Sequence, residues 1–275
     1  MKRVIIDLPA SLLSLLLCAA CLSVETGEEE RVTVDFRAEM TKSAVENDAA
    51  INCLDIFIYR SQTGVLETHL RTEGLSASLE LPRGVQLEWV VLANAPEGAV
   101  PSDYSRMEDN TSASLVMSGK GSGSFERSSS VSLKLSRLMC KVVLEKITPS
   151  QGFSCTYMAD VAGTCPYLGG PDTSELRYNV NGPEMSLNPF LKECLLSESS
   201  SGVEFFCYPD PLGKTALVVE TEAPYGVDRY RALLPPLERN TTYIIKELVL
   251  ESRKQLSFTI EINPWEEVDS SCTLE

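Results

Sequence analysis

The sequence predicts an all-β protein folded as two β-sandwich domains in tandem, and three observations carry that expectation. Apolar and polar residues alternate with period two along most of the chain. Clusters of Gly, Pro, Asn, Asp and Ser interrupt the alternation at intervals of roughly ten residues, and no long stretch keeps a 3.6-residue period. At 275 residues the chain has material for two domains, each with a core.

In "VTVDFR" Val32, Val34 and Phe36 share one face of a strand, and Thr33, Asp35 and Arg37 share the other. Leu54, Ile56 and Ile58 alternate in the same way. The turn residues Gln62-Thr63-Gly64 follow, then "VLETHL", which together predict a hairpin. "LSASLELP" places Leu75, Ala77, Leu79 and Leu81 on one face. After Gly84 the run "VQLEWVVLAN" becomes continuously apolar, as a central strand covered on both faces requires, with Trp89 in its core.

Between residues 96 and 130 the chain turns polar around the apolar patch Leu115 to Met117, and reads as long surface loops. Within it, "GKGSGS" superficially matches a phosphate-cradling loop. That motif needs Ser or Thr directly after its Lys and a helix behind it, whereas Gly121 follows Lys120, so a flexible loop is expected. Alternation resumes at Val131, Leu133 and Leu135, and the domain boundary is placed between residues 137 and 138. The second half carries six more strand-like runs: "FSCTYMADV", "GVEFFCYP", "TALVVETE", "RYRALLP", "TTYIIKELVLES" and "LSFTIEINPW". Only "SLNPFLKECLLSESS" fits a short helix, and no fixed-period repeat is found.

The first twenty residues have the parts of an export signal: Lys2 and Arg3, an apolar stretch from Leu12 to Leu17, and small residues at Ala19 and Ala20. The apolar stretch is too short to span a bilayer. Cys21 directly after Ala19-Ala20 matches a bacterial lipobox and is the expected lipidation site, although Cys18 stands where Leu is usual. Cys18 and Cys21 also have C-x-x-C spacing, but a redox pair needs a folded βα context that a cleaved leader cannot supply. The domains are therefore 1–20 leader, 21–137 N-terminal sandwich and 138–275 C-terminal sandwich.

Composition excludes some partners. The formal charge is −15, and removing residues 1–20 leaves 22 basic against 38 acidic side chains, or −16. Nucleic acid is excluded, because phosphate binding needs clustered Lys and Arg. Electrostatic docking on anionic lipid is excluded as well, so acyl chains on Cys21 would make the link to a membrane. Of nine cysteines, seven remain once Cys18 is removed and Cys21 acylated. An odd number cannot pair completely, and Cys53 and Cys207 stand inside apolar runs, so mostly free, buried thiols are expected.

Little in the sequence points to catalysis. His69 is the only histidine, which rules out a histidine triad partnership of the usual kind elsewhere and any multi-histidine metal site; it reads as a surface strand residue. Carboxylates are abundant, yet no spacing singles out a glycosidase pair. Asn110 and Asn240 begin N-x-S/T sequons with no reason to be used in a bacterial lipoprotein. No catalytic residue, metal or cofactor is expected. Tyr104, Tyr167, Tyr178 and Tyr225 lie in loop-like stretches and are the residues from which a surface carbohydrate-binding module, or a glycan-processing one, would be built.

Several phrases, taken in order, resemble the Bacteroidales fimbrillin superfamily of fimbrial shaft, tip and anchor proteins. These are "INCLDIFIYRSQTGVLETHL", "LPRGVQLEWVVLANAP", "LVMSGKGSGS", "VSLKLSRLMCKVVLEKI", "FFCYPDP", "LPPLERNTTYIIKELVL" and "FTIEINPWEE". The resemblance implies transthyretin-like sandwiches, an outer-membrane lipoprotein at the cell surface, and a part in a fimbrium alongside other fimbrial subunits, with host or bacterial surface ligands as further partners. It also implies assembly by strand exchange. In a shaft subunit an Arg-specific protease removes the lipidated first strand, and a neighbour's strand refills the groove.

Arg31 and Arg37 are the candidate cleavage sites. Cutting after Arg37 would detach the exchangeable strand with Val32, Val34 and Phe36, whereas cutting after Arg31 would leave it attached. The short tail "PWEEVDSSCTLE" leaves few residues for a donor strand and favours an anchor or accessory role, so shaft, tip and anchor stay open. Arg137 and Lys141 read either as solvated edge charges or as parts of a domain interface. Asn240 is suited to turn the chain and cap it ahead of Tyr243 and Ile245.

Overall fold

The computed structural model describes residues 29–38, 50–111, 114–148, 153–170, 203–251 and 255–265. Cys21, Tyr178 and the stretch expected to form a short helix lie outside the described residues.

Among the described residues the first half holds nine strands: β1 (Arg31–Ala38), β2 (Cys53–Arg60), β3 (Leu66–Glu73), β4 (Ser76–Pro82), β5 (Leu87–Ala93), β6 (Tyr104–Arg106), β7 (Met117–Gly123), β8 (Ser129–Leu133) and β9 (Ser136–Arg137). The β2–β3 hairpin turns at Gly64, whose φ of 67° lies in the left-handed region that glycine enters without a Cβ clash. Strands β3-β2-β5-β7-β9 form one sheet and β4-β1-β8 another. Their apolar faces meet over one core that includes Val34, Phe36, Leu54, Ile56, Ile58, Leu81, Leu87 and Val91. Each face comes from alternate residues of a strand, so the period-two pattern dictates which side chains enter the core. As expected, β5 is central in its sheet, and Trp89 packs partly buried against this core.

The second half holds β10 (Cys140–Leu144), β11 (Ile147–Thr148), β12 (Phe153–Ala159), β13 (Thr164–Pro166), β14 (Val203–Cys207), β15 (Ala216–Ala223), β16 (Gly226–Leu233), β17 (Thr241–Glu251) and β18 (Gln255–Pro264). One sheet runs β14-β10-β17-β18, with β11 also on β17, and the other runs β12-β15-β16. A second core lies between them and includes Val142, Phe205, Tyr208, Leu217, Val219, Tyr243 and Ile245. The only helical element among the described residues is one 3-10 turn, Met107–Asp109.

The two halves repeat a pairing that hydrophobic period alone cannot reveal. The first strand of each half lies between an antiparallel neighbour and a late parallel one. β1 pairs antiparallel with β4 and parallel with β8, and β10 pairs antiparallel with β14 and parallel with β17. The halves are joined by the short β6–β13 pair and by a buried polar cluster. There, Asn110 Nδ2 donates to Tyr208 Oη at 2.8 Å, and Ser105 Oγ lies 2.8 Å from the same oxygen.

Two sequence expectations are corrected. The stretch "GKGSGS" does not form a flexible loop, because its first five residues lie in β7, paired to β5. A Cβ at Gly121 would lie 2.6 Å from the Trp89 indole, so the glycines give the ring room to lie across the strand. Arg137 and Lys141 are not solvated edge charges: they are 5% and 7% exposed. Trp265, near the far end of the described chain, covers both cations.

Candidate functional site

Strand β1 is the strongest candidate. Val34 and Phe36 are wholly buried, and Ala38 nearly so, while Val32 packs at the margin of the same core. Phe36 meets the Trp89 ring edge-on at 5.7 Å and 71°. Burying Val34 and Phe36 contributes roughly 1.5–3 kcal/mol each. The outer face is polar, with Thr33 Oγ1 donating to Glu80 Oε1 at 2.7 Å and Ser78 Oγ donating to Asp35 Oδ1 at 2.5 Å.

The strand is pinned at its N-terminal end by charge. Arg31 donates to the Glu80 carbonyl at 3.0 Å and to Glu67 Oε1 at 2.8 Å, and Arg60 bridges Glu67 and Glu29. The Arg60 guanidinium holds the Glu29 carboxyl below its ordinary pKa. Separately, Arg83 pairs with Glu30 at 2.8 Å. Two of these carboxylates, Glu29 and Glu30, directly precede β1, so these two residues are clamped to the body of the first sandwich.

The two candidate cleavage sites sit at opposite ends of this strand. Arg31 opens β1 within the ion-pair group. Arg37 is next to last in it, with an exposed side chain, facing Ser76 of β4 on one side and Ser132 of β8 on the other. A protease reads its substrate as an extended segment free of other partners, so a cut after Arg37 requires the end of β1 to lift from both neighbours. Val32, Val34 and Phe36 lie together on the N-terminal side of that bond.

Withdrawing β1 would leave a slot one strand wide between β4 and β8, floored by Trp89 and the apolar faces of β2 and β5. Both slot walls would expose backbone donors and acceptors, the property that makes an open sheet edge accept another strand. β10 occupies the matching place in the second half but is covalently continuous with both halves.

The remaining sequence candidates separate. His69 lies on β3 with its side chain 39% exposed, as expected, stacked on Phe57 at 4.2 Å and 3.1 Å from Asp55. Tyr104 is exposed beside an open cleft of about 1000 Å³ that Glu97, Asp103 and Glu108 also line. Tyr225 is fully exposed at the β15–β16 turn, but Tyr167 is buried and its hydroxyl is pushed up to about 12 by that burial. Tyr167 thus belongs to the core and not to a binding platform. Asn240 turns the chain at φ 53°, as expected, but its Oδ1 accepts the Arg137 backbone N–H at 3.3 Å, a bond to the end of the first half in place of the expected local cap. No S–S bond joins the four cysteines with described side chains in this structure; Cys140, Cys165 and Cys207 are buried and Cys53 is half-buried. No group of three metal-ligating side chains occurs among the described residues.

Neither a family model nor a curated relative matches the sequence. Solved structures do. A protein assigned to cell adhesion from Bacteroides eggerthii superposes with a TM-score of 0.66 at 13% identity, over 86% of this chain and 96% of that one. The tip fimbrial protein Mfa3 from Porphyromonas gingivalis, solved with a C-terminal truncation, gives 0.63 at 11% identity, over 86% and 100%. A fimbrial assembly protein from Parabacteroides distasonis gives 0.57 at 14% identity, over 85% and 98%. The chain has the fold of Bacteroidales fimbrial and adhesion proteins. The resemblance to the fimbrillin superfamily read from the sequence is thereby borne out at the level of the fold.

Proposed function

We propose that this protein is a non-enzymatic fimbrial subunit or anchor, made of two tandem transthyretin-like domains at 21–137 and 138–275. A leader at 1–20 directs export, acylated Cys21 tethers the chain to the outer membrane, and the protein acts at the cell surface in adhesion. It assembles with other fimbrial subunits by strand exchange.

The observation that carries this reading is the position of β1. It is the central strand of its sheet, it contributes Val34 and Phe36 to the core, and it begins ten residues after the proposed tether. Tether and plug are then one N-terminal piece, so a cut after Arg37 releases the body from the membrane and opens the slot together. Retention of that piece describes an anchor, and its removal describes a polymerising subunit. The repeated β1/β10 pairing supports the two-domain description.

The test has two arms. Fatty-acid labelling should mark the wild-type chain and not Cys21→Ala. Treatment with an Arg-specific protease, followed by size-exclusion chromatography, should give a cut at Arg37 and heat-resistant oligomers for a subunit, or an uncut monomer for an anchor. Equal labelling of both chains removes the tether, and a cut protein that neither assembles alone nor joins an intact subunit removes strand exchange.

A second reading, a surface carbohydrate-binding or glycan-processing module, draws on exposed Tyr104 beside its acid-lined cleft. Glycan binding lost in Tyr104→Ala would favour it.

A further inference from the structure

Cys140 and Cys207 face each other across β10 and β14, both wholly buried, with their sulfurs 3.4 Å apart. That separation is closer than two unbonded sulfurs ordinarily rest. Residues directly opposite in an antiparallel pair have Cα atoms about 4.5–5.5 Å apart, inside the range a disulfide spans. We propose that Cys140 and Cys207 form a cross-strand disulfide in the exported protein, stapling β14 to β10.

Among the described residues β14 has no neighbour on its outer side, so it is the edge of its sheet. In the first sandwich β4 holds the matching place beside β1, and no cysteine stands on either strand. A protein that exchanges strands must release one strand and keep the rest in place. The staple fixes the pair that corresponds to β4–β1, so a donor strand cannot displace β14 from the second sandwich. The chemistry separates the two sheets: noncovalent where a strand must leave, covalent where it must stay.

Bond formation needs an oxidant, and the class is an exported thiol–disulfide oxidoreductase in its disulfide form. The thiolate of one cysteine attacks the oxidant's disulfide to give a mixed disulfide. The second thiolate then displaces the oxidant, which leaves with two electrons and two protons as a dithiol. Burial pushes the Cys140 thiol well above its ordinary pKa, which suppresses thiolate once the sandwich is closed. The exchange therefore belongs to the folding chain, before β14 docks.

The inference rests on the proposed export, and the experiment keeps the two apart. Full-length protein is recovered from a cell fraction outside the cytoplasm, with loss of the leader checked by mass. A second sample is unfolded, reduced and refolded with glutathione disulfide. Both are alkylated under denaturing, non-reducing conditions and digested with trypsin and chymotrypsin. Trypsin releases Cys140 in the short peptide 138–141, and chymotrypsin separates Cys207 from Cys194.

The expected result is peptide 138–141 linked to the Cys207 fragment in both samples. The thermal midpoint of the refolded oxidised form should exceed that of the reduced form by about 10 °C, and Cys140→Ala/Cys207→Ala should lose this difference. Alkylated peptide 138–141 in the refolded sample overturns the disulfide whatever the fate of the leader. Alkylated peptide in the exported sample alone overturns it for the cell. A retained leader with linkage after refolding counts against export and leaves the pairing standing.

Discussion

The Arg137 guanidinium lies 4.5 Å from the centre of the Trp265 ring, tying the last described residue of the chain to the point where the two halves meet. Around it, Trp265 stacks on Phe206 at 5.7 Å and donates its backbone N–H to the Asn240 carbonyl at 2.8 Å. Lys141, ion-paired to Glu204 at 2.8 Å, is 6.0 Å from the same ring. A cation held over an indole away from water is worth about 2 kcal/mol, more than an exposed pair of the same kind.

Arg137→Ala and Trp265→Phe should therefore couple. A double-mutant cycle by urea unfolding is expected to give an interaction of about 1–2 kcal/mol between the two positions. Additive losses would show that the ring and the guanidinium are merely neighbours.

A glycine series in β7 reads the seat of Trp89. A Cβ at Gly121 would fall 2.6 Å from the indole, whereas one at Gly123 would fall 3.5 Å away, in ordinary contact. Gly121→Ala should cost about 1–3 kcal/mol and shift the Trp89 emission, and Gly123→Ala should be close to neutral. Equal effects at the two positions would mean that the ring does not lie across β7.

That pair of glycines also marks what the sequence could and could not disclose. Alternation identified β1, β2, β4 and every major strand of the second half, because each buries one face and the period of side chains is fixed. A strand such as β7, rich in Gly and Ser, presents almost no alternation, and its reason for being a strand is a tryptophan on β5. The burial of Arg137 and Lys141 was hidden for a similar cause: their cover, Trp265, arrives from the opposite end of the chain. The place of β1 between β4 and β8 was not legible either, since hydrophobic period specifies a face and not a partner. The strand itself and the arginine near each of its ends were legible.

Stability should fall in alkaline solution. Tyr167 and Tyr243 are pushed up to about 12 by burial from an ordinary value of 10.0, and Tyr208 is raised as well. In the unfolded chain these phenols ionise near 10, while the folded protein keeps their protons. Between pH 10 and 12 the unfolded state thus binds fewer protons, and the stabilisation, fully present below pH 10, is lost as pH rises. Urea midpoints should be lower at pH 11 than at pH 9, with tyrosinate absorbance at that pH appearing partly with unfolding. A constant midpoint across this range would contradict the burial of these hydroxyls.

If β1 is the exchangeable strand, a synthetic peptide spanning residues 29–38 should compete for its place, and only after the native strand has been freed. The intact protein holds β1 through two ladders, the Val34 and Phe36 burial and the Arg31–Glu67 ion pair, so labelled peptide should not enter it. After a cut at Arg37 the same interactions are available to the peptide in solution. It should then be retained through gel filtration, and at saturating concentration it should suppress oligomers. The core face sets the affinity, because a fully buried Phe contributes up to about 3 kcal/mol and leaves a cavity when truncated. A peptide with Phe36→Ala should consequently bind at least tenfold more weakly, while one with Asp35→Asn, altered only on the solvent face, should bind within a few-fold of the parent. Equal binding of the Phe36→Ala peptide, or uptake of the parent peptide by uncut protein, would place the exchange at some other edge of the fold.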